Sequence, residues 1–258
     1  MIFYKTDEEI EIIREGAVIL GKAHAEVAKA IRPGITTKFL DSIAFDYIKS
    51  NFAEPSFKGY NGFPASLCIS VNEQVVHGIP GSYTLKEGDI VSIDCGVFYK
   101  GLHSDSAYTY PVGEIDELTK RLLIVTKESL YRAIDNAVVG NRVGDIAFAV
   151  QSHSEKSGFS IVRELVGHGV GRSLHEGPEV PNYGKRGKGI KLEEGMVLAI
   201  EPMVNQGKKN IVQESDGWTI RTADRKASAH FEHTVAIGRD KADILTTFEY
   251  IEEVIKGF

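Results

Sequence analysis

Two stretches of this chain reach a carboxylate after the same run of residue types. Leu85-Lys86-Glu87-Gly88-Asp89-Ile90-Val91-Ser92-Ile93-Asp94 reappears as Leu192-Glu193-Glu194-Gly195-Met196-Val197-Leu198-Ala199-Ile200-Glu201. In each, a Glu-Gly turn signal leads into an apolar run of strand type, and the acid falls at its far end. A second acid follows each time, Asp105 after the first copy and Glu232 after the second. A duplicated half-domain whose copies face one another across a cleft would bring the four acids together. Acids that merely solubilise a surface are the plainer alternative. Against it, the apolar runs read as buried strands, where an unpaired carboxylate is costly. Compensation by a cation or a shared proton makes the cluster either a metal site or a carboxylate dyad.

The histidines add candidates. Of eight, three lie beside glycine on loops or strand ends: His77-Gly78, Gly167-His168-Gly169 and His175-Glu176-Gly177. Glycine next to histidine lets backbone or ligand approach closely, which suits ligation or catalysis. His24, His103, His153 and His230 read as surface or core residues, and His233, following Glu232, points to the other strand face. Gly167, Gly169 and Gly171 do not make a phosphate loop, because no G-x-G-x-x-G follows and Pro178 and Pro181 forbid an immediate helix.

The elements that position these residues follow from periodicity. Thr6-Asp7-Glu8-Glu9 is a capping box that opens a long first helix, which Pro33-Gly34 ends. A second helix is predicted over about 37–52, then strands over 66–77 and 89–110. The order restarts at Asp116, with helices to Gly140 and over about 144–156 and strands from Phe159 onward. Tyr99-Lys100-Gly101 is a hairpin turn. If Tyr99 and Lys100 form it, Asp94 and Asp105 sit opposite with Cβ atoms roughly 5 Å apart, and a turn one residue later makes them diagonal neighbours. The second hairpin carries a longer arm, including Asp216-Gly217-Trp218, long enough to fold over a cleft. The expectation is one α+β domain over 1–258, sheet inside and helices outside, with pseudo-repeats of about 1–113 and 114–258.

Composition sets limits. The 258 residues, 42% hydrophobic and 26% charged, describe an ordinary globular protein. A net charge of −6 argues against a nucleic-acid footprint. No apolar run approaches the roughly 18 residues of a membrane span. Met1 leads into a polar amphipathic helix rather than a signal peptide, and the only cysteines are Cys68 and Cys95. A cytoplasmic protein with reduced thiols is expected.

Over essentially its whole length the chain resembles the type I methionine aminopeptidases. The matching blocks are Gly59-Tyr60-Asn61-Gly62-Phe63-Pro64, Ser70-Val71-Asn72-Glu73 with Val76-His77-Gly78-Ile79-Pro80, Gly88-Asp89-Ile90-Val91 through Asp94, Gly167-His168-Gly169 with His175-Glu176, Ile200-Glu201-Pro202, and Asp216-Gly217-Trp218-Thr219 with Phe231-Glu232-His233-Thr234. The resemblance implies a pita-bread fold with internal pseudo-two-fold symmetry, its antiparallel sheet flanked by helices. It implies two divalent metal ions held by Asp94, Asp105, His168, Glu201 and Glu232. Asp105 and Glu232 would bridge, His168 and Glu201 complete one ion, and Asp94 chelate the other. Oxygen-rich ligation with one imidazole suits Co, Mn, Fe(II) or Zn. Metal-activated water would then remove the initiator methionine from nascent polypeptides with a small second residue.

In that family Glu201 resembles the proton shuttle, His175 steadies the oxyanion, and His77 contacts the scissile amide on the side of the second residue. Tyr60, Phe63, Cys68 and Trp218 match the methionine pocket. The chain departs from the family at Phe57, often cysteine in bacterial relatives, at Asn61, often histidine, and at Leu174, often phenylalanine. His230 stands where glutamine is common, and its echo of His103 reads as chance. The implied partners are N-termini of nascent peptides, with a transient ribosome contact left open, no membrane, no specific nucleic acid, and a monomer. A prolidase or aminopeptidase P would share the fold and ligands but normally carries an extra amino-terminal domain, which these 258 residues do not hold. A type II enzyme would insert a helical segment between His175 and Glu201. A non-catalytic pita-bread binding protein would be expected to lose ligands, and all five are present.

Overall fold

Thr6 begins the first helix by reciprocal capping: its hydroxyl accepts from Glu9 N at 3.3 Å, and the Glu9 carboxylate accepts from Thr6 N at 3.0 Å. In the computed structural model, which describes residues 1–255, this helix α1 runs Asp7–Ala30, followed by α2 at Thr37–Ser50. The Asp116 carboxylate caps α3, Glu117–Ile134, by accepting from Leu118 N and Thr119 N. Then come α4, Val143–Lys156, and α5, Glu249–Ile255, which packs against α1. Helix pair, strands, helix pair, strands is therefore the observed order, closed by the short α5.

The long hairpin pairs Ile90–Tyr99 with Leu102–Pro111. Its turn residues are Lys100 and Gly101, with φ of 47° and 91°. Both angles are left-handed, as a two-residue turn matched to strand twist requires. The register pairs Asp94 with Ala107 and Gly96 with Asp105. The earlier turn position, which would set the two acids directly opposite, is not the one adopted; they are diagonal neighbours on one face. Leu67–Val71 and Glu54–Pro55 pair along the other edge of Ile90–Tyr99.

The second half contributes a five-stranded sheet ordered Asp243–Ile244, His233–Ala236, Val197–Ile200, Val166–Gly169, Glu176–Pro181. A seam of hydrogen bonds joins the halves. Glu232 N donates to Ala107 O at 2.9 Å and Ser106 Oγ to Glu232 O at 2.8 Å. Thr234 Oγ1 donates to Asp105 O at 2.7 Å and accepts from Asp105 N at 3.0 Å. One apolar core runs through both halves, with Leu20, Leu40, Leu122 and Ile146 from the first four helices packed on sheet residues such as Ile93 and Leu198. Burying such side chains contributes about 1.5–3 kcal/mol each. Among the described residues no helix is long and apolar enough to cross a membrane.

Candidate metal centre

The seam places the four acids. Asp94 and Asp105 share a face of the long hairpin, while Glu201 and Glu232 lie one residue beyond the Ile200–His233 pair, where the second ladder ends. His168 pairs with Ala199 and so shares a face with Glu201, two residues on. Glycine flanks His168 because the strands approach closely: a Cβ at Gly167 would stand 2.4 Å from Ala199 O, and one at Gly169 2.3 Å from Gly177 O. His168 Nε2 lies 3.7 Å from Glu201 Oε1 and 4.0 Å from Asp105 Oδ2. Ligand atoms of Asp105, His168 and Glu232 lie within 4.8 Å of one another.

This cluster lacks internal compensation. Asp94 Oδ1, Asp105 Oδ1 and Glu232 Oε1 are buried and accept no hydrogen bond. Burial raises Asp94 to about 7 and Glu201 to about 8. It raises Asp105 and Glu232 well above the carboxylate range, with the neighbouring carboxylates adding to the effect. Burial first, then the neighbouring His175, lowers His168 to about 3, so its ring is neutral. Its Nδ1 lies 2.9 Å from the Gly169 carbonyl, which can only accept, so the proton is on Nδ1 and Nε2 offers a bare lone pair toward two carboxylates. Lone pairs facing carboxylates are unfavourable without a cation. The donor set and the orphaned oxygens therefore fit divalent metal.

Beside the cluster opens a cavity of about 220 Å³. Every site residue assigned from the sequence lines it: Tyr60, Phe63, Cys68, His77, Asp94, Asp105, His168, His175, Glu201, Trp218 and Glu232. Phe57, Asn61 and Leu174, the positions departing from the family pattern, line it too. Cys68 pairs with Asp94 and shares its face, and burial pushes its thiol up, so it acts as apolar wall. Trp218 meets Phe63 edge-on at 5.2 Å, carried there by the arm of the second hairpin. Asp216 holds that arm's tip by accepting from Trp218 N and Thr219 N, each at 2.9 Å. His175 Nδ1 lies 2.8 Å from the Tyr60 hydroxyl. His77 is held at a φ of 60°, a conformation uncommon outside glycine, and burial lowers its pKa to about 4.

The remaining histidines divide. His24 bonds Tyr110 and the Ser106 carbonyl, His103 bonds Ser56, and His153 pairs with Glu128, all structural roles. His233 turns away to Thr246. His230 is buried in the core but also stands beside the cluster. It is 1% exposed, its Nε2 lies 3.4 Å from Glu201 Oε2, and that nitrogen has no hydrogen-bond partner. Strand alternation could have found it, because the period that sends His233 away puts His230 on the face of Glu232.

The model of metallopeptidase family M24 matches residues 11–239. A methionine aminopeptidase of Clostridium perfringens is 54% identical over 246 residues, covering 95% of this chain and 99% of the relative. Methionine aminopeptidase 1 of Bacillus subtilis is equally similar, 54% over the same coverage. The crystal structure of methionine aminopeptidase from Thermotoga maritima superposes with a TM-score of 0.94 at 47% identity, covering 96% of this chain and 100% of that one. Prolidase from Pyrococcus furiosus gives 0.77 at 26% identity, covering 95% of this chain and 66% of its own. The fold is the pita-bread fold these proteins share, and divalent metal use comes with the family. This chain belongs to the methionine aminopeptidases of metallopeptidase family M24.

Proposed function

We propose that this protein hydrolyses the first peptide bond of chains that begin with methionine followed by a small residue. One observation carries the reading: carboxylates with orphaned buried oxygens, beside a bare imidazole nitrogen, line the same cavity as an apolar wall of Phe57, Phe63, Cys68, Leu174 and Trp218. The first group suits metal and an amino terminus, the second a thioether side chain. Asp105 and Glu232 would be shared between two divalent ions, His168 and Glu201 would complete one, and Asp94 would hold the other. Mn, Fe(II), Co and Zn all suit these donors. Divalent cations there would lower the pKa of water and polarise the scissile carbonyl.

The chain's own residues do the rest. Glu201 accepts the proton of the attacking water and returns it to the leaving amine. With Tyr60 donating to His175 Nδ1, the neutral ring keeps its proton on Nε2 and can donate it to the oxygen that gains charge. His77, on the first-half wall, contacts the scissile amide beside the second residue. Under this reading residues 1–258 form one catalytic domain of two pseudo-repeats, acting as a monomer in the cytoplasm.

The test is cleavage of Met-Ala-Ser after chelator treatment and after re-addition of each divalent metal singly, beside Leu-Pro and Ala-Pro dipeptides. Metal-dependent release of methionine from the tripeptide alone is expected. Turnover confined to the proline dipeptides would replace this reading with a prolidase.

A further inference from the structure

The segment before α1 lies across the loop that carries His175. Gly177 N donates to the Met1 carbonyl at 3.0 Å, and Ile2 bridges Gly177. Lys5 N donates to Gly195 O at 2.7 Å, in the turn that starts the strand leading to Glu201. Between these ties the Lys5 ammonium and the Glu176 carboxylate pair, their side chains 2% and 1% exposed. Lys5 Nζ also donates to Phe3 O at 3.2 Å, and the other Glu176 oxygen accepts from Ser173 N at 3.0 Å. The lysine stem fills the space beside Gly171, where a Cβ would stand 2.2 Å from Lys5 Cε. One ion pair thus closes the turn over residues 171–176, which carries Leu174 and His175, a wall and a donor of the cavity.

A buried ion pair is a poor stability device, because desolving both charges offsets most of their attraction. What it supplies is fixed geometry: neither partner can leave without stranding the other. We propose that Lys5 is a positioning residue for His175, acting through Glu176, and that the segment before α1 is the strap that holds the His175 loop against the metal cluster. The proposal rests on the peptidase reading and on the role assigned there to His175.

The test is a double-mutant cycle on kcat for Met-Ala-Ser, with Lys5→Met made in wild-type and His175→Ala backgrounds under one metal loading. Lys5→Met should lower kcat by about 10- to 100-fold, the loss typical of a misplaced group. It should lower kcat no further once His175 is alanine, while metal content stays that of the parent. Amide exchange over residues 171–177 should quicken. Because Lys5→Met strands the Glu176 charge, Lys5→Met/Glu176→Gln, which buries none, is measured alongside and should behave alike. An equal fold-loss in both backgrounds would show that Lys5 serves the fold at large and overturn the proposal. So would wild-type kcat and exchange in both variants. A wild-type protein that cannot cleave the peptide would instead bring down the peptidase reading, a separable result because exchange is read without substrate.

Discussion

The two acidic hairpins reach one cluster through different registers. In the first half, ten-residue strands meet at a two-residue turn, and Asp94 and Asp105 sit diagonally inside a continuous ladder. In the second, four-residue strands pair only as far as Ile200 and His233, and Glu201 and Glu232 follow where pairing stops. Acids inside a ladder are held by backbone bonds on both sides; acids at its end leave the chain free to depart. It departs into the arm that brings Trp218 to Phe63. The halves share ligand chemistry without sharing geometry: the first is a rigid platform, and the second trades ladder for a pocket wall.

The largest effect should come from removing one shared acid of either half. Asp105→Asn and Glu232→Gln should each abolish peptidase activity and weaken metal binding while the fold survives, since each deletes a charge from a cluster already short of partners. Metal analysis and turnover decide it. A full metal complement and normal turnover in either variant would show that its half is spare and end the comparison. Next come the histidines, one per half. His175→Ala should keep its metals and lose on the order of 10²–10³ in kcat, about 3–4 kcal/mol, as removal of one oxyanion donor does. His77→Ala should be comparably slow. Stoichiometric loss of metal from either would make that histidine a ligand.

A smaller effect separates His230 from His103, its echo in the first half. His230 Nε2 faces Glu201, whereas His103 is tied to Ser56 and lies tilted against Phe98. His230→Ala should weaken metal affinity roughly tenfold, the scale of a lost outer partner, and His103→Ala should leave it unchanged. Titration calorimetry of both would show whether the echo is functional; equal losses would mean the contact with Glu201 is irrelevant.

Stability of the chelated protein offers a pH test. Unfolded carboxyls titrate near 4, whereas the folded protein holds Asp94 to about 7 and Glu201 to about 8. Between those limits the folded state keeps protons that the unfolded state has lost, so this contribution is full below about 4 and fades as pH rises through about 7–8. Melting temperature should therefore fall across that window more steeply in metal-free wild type than in Asp94→Asn/Glu201→Gln, which lacks both groups. A steeper fall in the variant would refute the assigned direction.

Most of the fold was legible because the signals were local. Thr6 and Asp116 mark helix starts through their own side chains, and the Glu-Gly repeats mark strand entry. The site was legible because family motifs name its residues, while the physical reason for their convergence, the seam from Ala107 to Thr234, joins residues far apart in sequence. The hairpin register was not fixed in advance, since Lys100 carries no sign that it will adopt a left-handed φ. The Lys5–Glu176 pair could not be read either, because it spans most of the chain and neither residue lies in a pattern that predicts burial.

The smallest predicted effects test the division into platform and pocket directly. Gly101 has a φ of 91°, and nothing lies within 4 Å of where its Cβ would be. Gly101→Ala therefore meets no clash and pays only the backbone penalty of a left-handed residue, about 1 kcal/mol. If ten paired residues per strand hold the register, melting temperature should drop by a few degrees while metal content and KM stay put. Trp218→Ala in the arm should do the reverse. It removes an apolar wall worth roughly 1–3 kcal/mol to a bound side chain, so KM for Met-Ala-Ser should rise by about tenfold with little change in melting temperature, because the half-buried ring contributes little to the core. A raised KM in Gly101→Ala would mean that the turn, and not the ladder, sets where Asp94 and Asp105 stand, and that the first half is no more rigid than the second.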